Sequence, residues 1–306
     1  MIPNVLSIAG TDPSGGAGIQ ADLKTFSALG AYGMAVVTAV VAQTTTGVTG
    51  VHEVPADFVT AQIDTLLADV RVDAVKIGML ANEGIVRAVG AALDRWHPPF
   101  VVLDPVMVAK SGDRLLAAGA VDALRDVLVP RADLITPNVP EAADLLGEIE
   151  AAGVDEMRAQ AARLLGLGAR RVLLKGGHLA TGSRLEGTST DVLASAEDTE
   201  ELCAVRVVTD KDHGTGCTLS AAIAALRPRH PDWSTAVGAA KAYLTGALGA
   251  AGRLDVGHGH GPVHHFYAVW DRDRTPQEPN TGPVSRGVPP RAAGHPDARP
   301  PGMPKR

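Results

Sequence analysis

The residues from His213 to Cys217, followed by an Ala-rich run that continues to Leu226, have the composition of an anion-binding site. Gly214 and Gly216 allow the backbone to turn sharply and to bring N–H groups close to a ligand. A helix that begins here adds unpaired first-turn N–H groups and the positive end of its dipole. The segment therefore predicts a site for an anion, most often a phosphate. A helix start that only packs against a sheet is the alternative interpretation.

Cys217 falls in the first turn of this predicted helix, where the pKa of a thiol usually falls. We expect an accessible thiolate that could accept a proton from an alcohol. A cysteine hydrolase is another possible use of Cys217, but it needs a histidine base and a third, orienting group. His213 lies four residues away across a glycine turn, and nothing in the sequence marks a third group.

A second glycine-rich turn runs from Gly10 to Gly18 and leads into another helical pattern. It has neither the Gly-Lys-Ser/Thr of a P-loop nor the Gly-x-Gly-x-x-Gly spacing. Two interpretations remain open: a tight turn capped by Ser14 or Asp12, or a loop that covers a ligand. Asp22, one turn into the helix, could simply complement the helix dipole.

Several charged or polar residues follow apolar runs. Asp104 precedes a proline, so its backbone is held extended at the end of a predicted strand. If Asp104 and Glu141 face one pocket, their oxygens could hold Mg²⁺ through water, as is usual beside phosphates. Asn138 and Glu141 are also spaced as a helix cap with a reciprocal glutamate. Lys175 precedes two glycines, and its ammonium group could reach a nucleotide phosphate. The alternative is a solvated lysine at the end of a strand.

Four histidines in a glycine-rich segment shortly before residue 270 resemble a metal-binding tract: His258, His260, His264 and His265. They have no cysteine or acidic partner at ligand spacing, so we do not expect them to bind a metal.

Short β-branched runs alternate with longer amphipathic ones, a pattern typical of an α/β protein with a mostly parallel sheet. The predicted strands are Val5–Ala9, Ala35–Val41, Ala74–Ile77, Phe100–Leu103, Asp133–Thr136, Arg171–Leu174 and Thr190–Leu193. The predicted helices are Ala17–Leu29, Ala56–Asp69, Glu83–Trp96, Val121–Leu128, Val139–Leu146, Met157–Leu167, Thr215–Leu226 and Ser234–Gly249. Because ligands gather at the carboxyl ends of such strands, we expect the residues that follow them to converge. These are Gly10, Gln43, Met79, Asp104, Asn138, Glu141 and Lys175.

Composition indicates one large domain and a tail. The 306 residues carry a net charge of −6, which argues against a nucleic-acid-binding surface. The two cysteines imply no disulfide framework and fit a reducing cytoplasm, and no segment is apolar enough for a signal peptide or a membrane span. Residues 271–306 hold nine of the 21 prolines and no Leu, Ile or aromatic residue. We therefore expect a folded domain at 1–270 and a disordered tail at 271–306.

Jointly, six segments resemble the hydroxymethylpyrimidine/phosphomethylpyrimidine kinases of thiamine biosynthesis, in that family's order. They are Ser7–Phe26, Leu103–Gly112, Thr136–Ala142, Lys175–His178, His213–Cys217 and Gly261–Phe266. The resemblance implies a ribokinase-like fold, with a central, mostly parallel sheet flanked by helices on both faces, and frequently a homodimer. It also implies an ATP-dependent enzyme that phosphorylates hydroxymethylpyrimidine to the monophosphate and then to the diphosphate.

The resemblance assigns roles to individual residues. Gln43 would bind the aminopyrimidine edge, since a side-chain amide both donates and accepts, and Gly10, Asp22, Met79 and Val106 would line the same pocket. The transferring phosphoryl group would meet an anion hole formed by Gly214, Thr215 and Gly216. Asp104, Asn138 and Glu141 would organise Mg²⁺ and its waters, with Lys175, Asn138 and Thr215 at the nucleotide.

Cys217 occupies the position at which sugar kinases of this fold carry an aspartate base. A cysteine is usual in the pyrimidine branch of the fold, so cysteine in place of aspartate supports the resemblance. The identity of the base stays open, because phosphoryl transfer depends chiefly on positioning and charge stabilisation. Asp210-Lys211-Asp212 is a smaller departure, confined to a loop. Three alternatives remain: a pyridoxal kinase of the same fold, one enzyme with both activities, and a nucleotide-binding protein without catalysis.

Overall fold

The strands lie where apolar, β-branched runs alternate with amphipathic segments. The structure, a computed structural model, describes residues 1–108, 112, 116, 118–177, 179 and 187–270. The predicted tail at 271–306 and residues 109–111 and 178 of the quoted motifs lie outside these ranges. The strands are β1 (Asn4–Ala9), β2 (Tyr32–Val37), β3 (Ala39–Thr44), β4 (Gly47–Glu53), β5 (Ala74–Ile77), β6 (Val101–Leu103), β7 (Leu134–Ile135), β8 (Arg171–Leu174), β9 (Thr188–Ser195) and β10 (Thr199–Val205).

The α-helices follow the amphipathic segments. They are α1 (Gly18–Ala28), α2 (Ala56–Leu67), α3 (Glu83–Trp96), α4 (Ala118–Ala123), α5 (Val139–Leu146), α6 (Val154–Leu165), α7 (Thr215–Leu226) and α8 (Trp233–Gly249). None of the described helices is long and apolar enough to span a bilayer.

Eight strands form one sheet in the order β10-β9-β8-β7-β6-β5-β1-β2. Within this sheet the neighbouring strands β2, β1, β5, β6, β7 and β8 pair in parallel. At the other edge β9 pairs antiparallel with β8, and β10 pairs antiparallel with β9. The carboxyl ends of β1, β5, β6, β7 and β8 therefore lie along the same edge of the sheet, as expected from the alternating pattern.

Helices cover both faces of this sheet. Phe26, Ile223 and Val237, from α1, α7 and α8, pack in one apolar cluster, and Val59 and Leu164, from α2 and α6, pack in the other. Side chains along a strand point alternately to the two faces, so both faces must be apolar for the strand to be buried. The predicted fold class, α/β with helices on both faces of a mostly parallel sheet, is confirmed.

The single strand predicted at Ala35–Val41 is wrong, because the chain leaves the sheet at Thr38. The Thr38 hydroxyl donates to the Met79 carbonyl oxygen at 2.7 Å, and its N–H donates to the Ala9 carbonyl. Beyond Thr38 the chain forms β3, which pairs only with β4 in a separate two-stranded hairpin. β4 and β10 were not predicted, since neither strand has a buried residue or an apolar alternation.

The helix predicted at Val121–Leu128 has a different form. The α-helical part is α4, and the chain continues through a π-helical turn at Leu124–Leu128. Leu124 and Leu128 of this turn are buried in the core. A helix pattern read at 3.6 residues per turn cannot distinguish such a wider turn.

Candidate active site

A cavity of about 800 Å³ opens at the edge of the sheet where the parallel strands end. Its wall contains most of the residues that the sequence placed at the strand ends, together with the start of α7. The predicted site residues that line it are Gly10, Gln43, Met79, Val106, Asp104, Asn138, Glu141, Lys175, Gly214, Thr215, Gly216 and Cys217. The structure therefore brings the glycine turns, the acidic residues and the lysine to one place.

The first turn of α7 forms one wall of this cavity. Gly214 precedes the helix with a positive φ of 78°, and a β-carbon there would overlap the carbonyl oxygen of Gly16, so only glycine fits. A β-carbon on Gly216 would lie 3.3 Å from the Lys175 ammonium nitrogen and 3.5 Å from a carboxylate oxygen of Asp104. The helix N-terminus thus opens towards a cation and a carboxylate, an arrangement suited to an anion that arrives with its own counter-ion.

Asp104 and Lys175, at the ends of β6 and β8, form an ion pair with Nζ 2.9 Å from Oδ1. The hydroxyl of Thr136 also donates to Oδ1 at 2.9 Å, and that of Ser220 donates to Oδ2 at 3.3 Å. Burial alone would raise the pKa of Asp104, but the ammonium groups of Lys175 and Lys76 outweigh it and lower that pKa. Asp104 is therefore a carboxylate at neutral pH.

Glu141 forms the helix cap that its spacing from Asn138 indicated. The Asn138 side chain accepts a hydrogen bond from the Glu141 N–H, and Glu141 Oε2 accepts one from the Asn138 N–H, both at 2.8 Å. This capping box starts α5. The same carboxyl lies 3.8 Å from the Lys175 ammonium. Burial raises the pKa of Glu141 to about 7; Lys175 opposes this shift, and the charge of Asp104 adds to it.

Cys217 is partly buried at the cavity wall, and its pKa is raised to about 11. Burial is the main cause; the Lys76 ammonium lowers the pKa, whereas Asp22 and Asp104 raise it further. The expectation that this thiol has a lowered pKa is wrong for the structure as it stands, because two nearby carboxylates and burial outweigh the helix start and Lys76. The thiol form dominates at neutral pH.

Asp12 organises the loop between Gly10 and Gly18. Its carboxylate accepts hydrogen bonds from the N–H groups of Ser14 and Ala17, at 2.9 and 2.8 Å, and its Oδ2 lies 2.7 Å from Nε2 of His213. The capped-turn interpretation therefore holds, and the same loop lines the cavity. Asp12 also ties this loop to the residue just before the anion-binding turn.

Asp22 does not line the cavity, contrary to the role that the resemblance implies for it. It lies beneath the wall, where its two oxygens are each 2.9 Å from Nζ of Lys76 and Oδ2 accepts from the Ser7 hydroxyl at 2.6 Å. Asp22 points inward from α1 because its charge is paired there. Sequence reasoning missed Lys76, although an ionisable residue inside an otherwise apolar strand was a usable signal.

Gln43 lies in the β3–β4 hairpin and not at the end of a strand of the main sheet. The pairing register shifts between Ala42 and Gln43, which marks a β-bulge at this point. Met79 also lines the cavity, and its sulfur lies 3.1 Å from where a β-carbon on Gly10 would be. The cavity wall therefore offers an amide, a thioether and bare backbone, groups that suit a flat polar ring.

The opposite end of the cavity contains a buried ion pair that sequence reasoning also missed. Lys241 of α8 donates to Asp191 Oδ2 at 2.5 Å, and Asp191 Oδ1 accepts from the Gly176 N–H at 2.9 Å. Asp191 thereby fixes the backbone next to Lys175. Apolar side chains surround this end of the wall: Val205, Val207, Leu244 and Leu248.

Two histidines of the C-terminal segment, His260 and His265, have polar partners within the fold. His265 Nε2 lies 3.1 Å from the Thr218 hydroxyl, and burial lowers the pKa of His265 to about 3. His260 Nδ1 lies 3.1 Å from Asp212. Within the described residues no three His, Cys, Asp or Glu side chains are grouped to hold a metal ion.

The solved structures similar to this chain include nucleotide-bound kinases of the same fold. Pyridoxal kinase from Staphylococcus aureus in complex with ADP matches with a TM-score of 0.79 and 33% identity, over 88% of this chain and 95% of that one. Phosphomethylpyrimidine kinase from Clostridium difficile matches with a TM-score of 0.70 and 40% identity, over 80% and 99%. The fold is therefore that of the ribokinase-like vitamin kinases.

The family follows from the sequence comparisons. The family model described as phosphomethylpyrimidine kinase matches residues 12–264. The hydroxymethylpyrimidine/phosphomethylpyrimidine kinase of Salmonella typhimurium is 57% identical over 267 residues, which cover 87% of this chain and 98% of that protein. The chain belongs to the phosphomethylpyrimidine kinase family, as the resemblance predicted.

Proposed function

We propose that this chain transfers the γ-phosphoryl group of ATP to 4-amino-5-hydroxymethyl-2-methylpyrimidine and then to the resulting monophosphate, which yields the diphosphate used in thiamine diphosphate biosynthesis. The observation that carries the proposal is the position of Gly216. It places the open start of α7 against Lys175 and Asp104 within one cavity. Charge that develops on a migrating phosphoryl group would meet backbone N–H groups and an ammonium there.

The two substrates would occupy opposite ends of the cavity. We place the pyrimidine at the end that holds Gln43, Met79, Gly10 and Val106, because the Gln43 amide can donate to and accept from an aminopyrimidine edge. ATP would lie towards the end lined by Val205 and Leu244. Its phosphates would contact Lys175, Asn138 and the backbone N–H groups at the start of α7, including that of Thr215. The acceptor and donor then meet at the start of α7.

In the transfer, the hydroxymethyl oxygen forms a bond to the γ-phosphorus, and the bond from that phosphorus to the bridging oxygen breaks, so that ADP leaves. The hydroxyl proton passes to the thiolate form of Cys217 and later to solvent. Because phosphoryl transfer relies mainly on positioning and charge stabilisation, Gly214, Thr215 and Gly216 contribute by holding the transferring group in line.

We further propose that Mg²⁺ accompanies the nucleotide and that Asp104 and Glu141 hold its water shell. The donor set fits, since Mg²⁺ is usually bound by one or two carboxylates together with substrate phosphates. Asp104 and Glu141 lie 2.9 and 3.8 Å from the same Lys175 ammonium, so two carboxyl groups share this one neighbouring cation. A divalent cation would stabilise both carboxylates and the phosphates.

Pyridoxal is the competing acceptor, favoured by the structural similarity to pyridoxal kinases. It also carries a hydroxymethyl group on an aromatic nitrogen ring. A coupled assay of ADP release with each acceptor and Mg-ATP decides between them. We expect a higher kcat/KM for hydroxymethylpyrimidine; faster turnover of pyridoxal would overturn the choice, and ATP binding without ADP release would indicate a non-catalytic protein.

We propose a homodimer that works in the cytoplasm. The free cysteines Cys203 and Cys217 suit a reducing compartment. Val40 and Val51 of the β3–β4 hairpin are exposed apolar side chains, and we place the contact with the second subunit at this hairpin. Light scattering of the purified chain tests the dimer, and Val40→Asp should shift it towards monomer.

A further inference from the structure

The hairpin that carries Gln43 rests on a glycine-rich segment from far along the chain, Gly257–Gly261, which we call the strap. The strap contacts the hairpin at Thr45, in the turn between β3 and β4. The Thr45 hydroxyl accepts a hydrogen bond from the Gly259 N–H at 3.1 Å. A β-carbon at 257 would overlap the Thr45 hydroxyl, and one at 259 would overlap the Thr45 carbonyl oxygen. The contact therefore requires glycine at both positions.

The other end of the strap is attached to the loop that leads into the anion-binding turn. The His213 N–H donates to the Gly261 carbonyl at 3.0 Å, and the His260 ring lies 3.1 Å from Asp212. His213 is itself held by Asp12 at 2.7 Å. One short segment thus connects the turn of the Gln43 hairpin with the residues directly before Gly214.

Gln43 lies two residues before Thr45, on the same strand end of the hairpin. Its pairing partner in β4 is Val48, next to the turn. The position of the turn therefore sets how far the Gln43 amide lies from the start of α7. The strap holds this distance through the hydrogen bond to Thr45.

The two acceptors proposed above need different distances. In the alcohol, the attacking oxygen is bonded to the methylene carbon of the ring substituent. In the monophosphate, the attacking oxygen lies beyond a phosphorus atom and so farther from the ring. Because the anion-binding turn is fixed by α7, the ring must lie farther from α7 in the second phosphorylation, and a hairpin that follows the ring must move outward.

We propose that Thr45 is a positioning residue for acceptor selectivity: its contact with the strap holds the hairpin at the distance that suits the alcohol and disfavours the monophosphate. This inference rests on the proposed function and adds to it a structural cause for the ratio of the two activities. Thr45 acts through Gln43, since it does not line the cavity.

The test compares initial rates with the alcohol and with the monophosphate, each at saturating Mg-ATP. Thr45→Val keeps the β-branched shape and removes the acceptor, whereas Thr45→Ser keeps the hydroxyl. Thr49→Val is the matched control, because its hydroxyl donates within the hairpin to the Ala42 carbonyl at 3.1 Å and not to the strap. Gly259→Ala displaces the strap by overlap and gives a second, independent variant.

We expect Thr45→Val and Gly259→Ala to lower kcat/KM for the alcohol about fivefold to tenfold, the size of one lost hydrogen bond. In these two variants kcat/KM for the monophosphate should rise, or at least fall by less than about twofold, and KM for ATP should not change. Thr45→Ser should retain the wild-type ratio of the two activities. Equal losses with both acceptors, no loss, or a larger loss with the monophosphate would overturn the inference. A wild-type enzyme inactive on both acceptors would instead overturn the proposed function. Melting temperatures verify that each variant is folded.

Discussion

The ammonium nitrogen of Lys76 lies 2.9 Å from each carboxylate oxygen of Asp22, and neither side chain is exposed to solvent. Burial raises the pKa of Asp22 despite this pairing. Burial also opposes the charge on Lys76, but the negative charges of Asp22 and Asp104 keep the pKa of Lys76 above its ordinary value. The two charges therefore depend on each other for their place in the core, where Lys76 also lines the cavity that contains Cys217.

Removing one member of this pair should destabilise the fold strongly. Lys76→Met leaves Asp22 buried without its counter-ion, and we expect the free energy of unfolding to fall by about 3–5 kcal/mol. The double variant with Asp22→Asn removes both charges and should recover a large part of that loss. Urea denaturation measures both. A loss below about 1 kcal/mol in the single variant would contradict the mutual dependence.

Cys217 should impose a pH dependence on turnover. With a thiol pKa of about 11, the thiolate fraction rises about tenfold for each pH unit between pH 7 and pH 9. If the thiolate accepts the hydroxyl proton, kcat should rise over that range. Cys217→Ser should lower kcat about tenfold or more and leave KM for ATP nearly unchanged. A flat wild-type profile together with an active serine variant would remove Cys217 from proton transfer.

Glu141 should make stability depend on pH in the direction opposite to that of most carboxylates. Its pKa is about 7 in the folded chain, against an ordinary value of 4.5. The folded state therefore holds the proton more tightly, and stability that is fully present below pH 4.5 is lost as the pH rises towards 7. Glu141→Gln keeps an oxygen to accept from the Asn138 N–H and has no such titration.

The measurement for Glu141 is the difference in unfolding free energy between wild type and Glu141→Gln, by urea denaturation at about pH 4.5 and about pH 8. The glutamine variant should gain at least about 1 kcal/mol relative to wild type at the higher pH. A difference that is the same at both values would show that the fold does not raise the pKa of Glu141.

Residues 271–306 provide a test of the domain boundary expected from composition. Deleting them should leave the melting temperature and kcat/KM unchanged, because the segment offers few apolar side chains to bury. The full chain is the control. Loss of activity or a lower melting temperature in the shortened chain would show that the tail contributes to the folded domain.

The strand ends were predictable because the chemistry of a parallel sheet collects at one edge. Asp104, Asn138 and Lys175 each follow a short apolar strand, so their convergence required only the alternation of strands and helices. The glycine turn before α7 was predictable for the same local reason, since Gly214 needs a positive φ. Those signals depend on nearest neighbours in sequence.

Relationships between distant residues could not be predicted in this way. Asp22 points away from the cavity because Lys76, 54 positions later, offers a counter-ion in the core. The raised pKa of Cys217 arises from burial and from carboxylates on two other elements. The hairpin of β3 and β4 was missed because its pairs leave most of β4 exposed, without the apolar alternation that marks a strand.

Gln43 should determine affinity for the acceptor and not for the nucleotide. Gln43→Ala leaves the polar edge of the bound ring unpaired in the cavity, which should cost about 1–3 kcal/mol and raise KM for hydroxymethylpyrimidine by about tenfold or more. KM for ATP should stay within about twofold, because the nucleotide is expected at the other end of the cavity. Thr49→Val, in the same hairpin but away from the cavity, controls for a general disturbance of β3 and β4. An unchanged KM for the pyrimidine would show that the ring binds elsewhere, and a parallel rise in both KM values would show that Gln43 shapes the whole cavity.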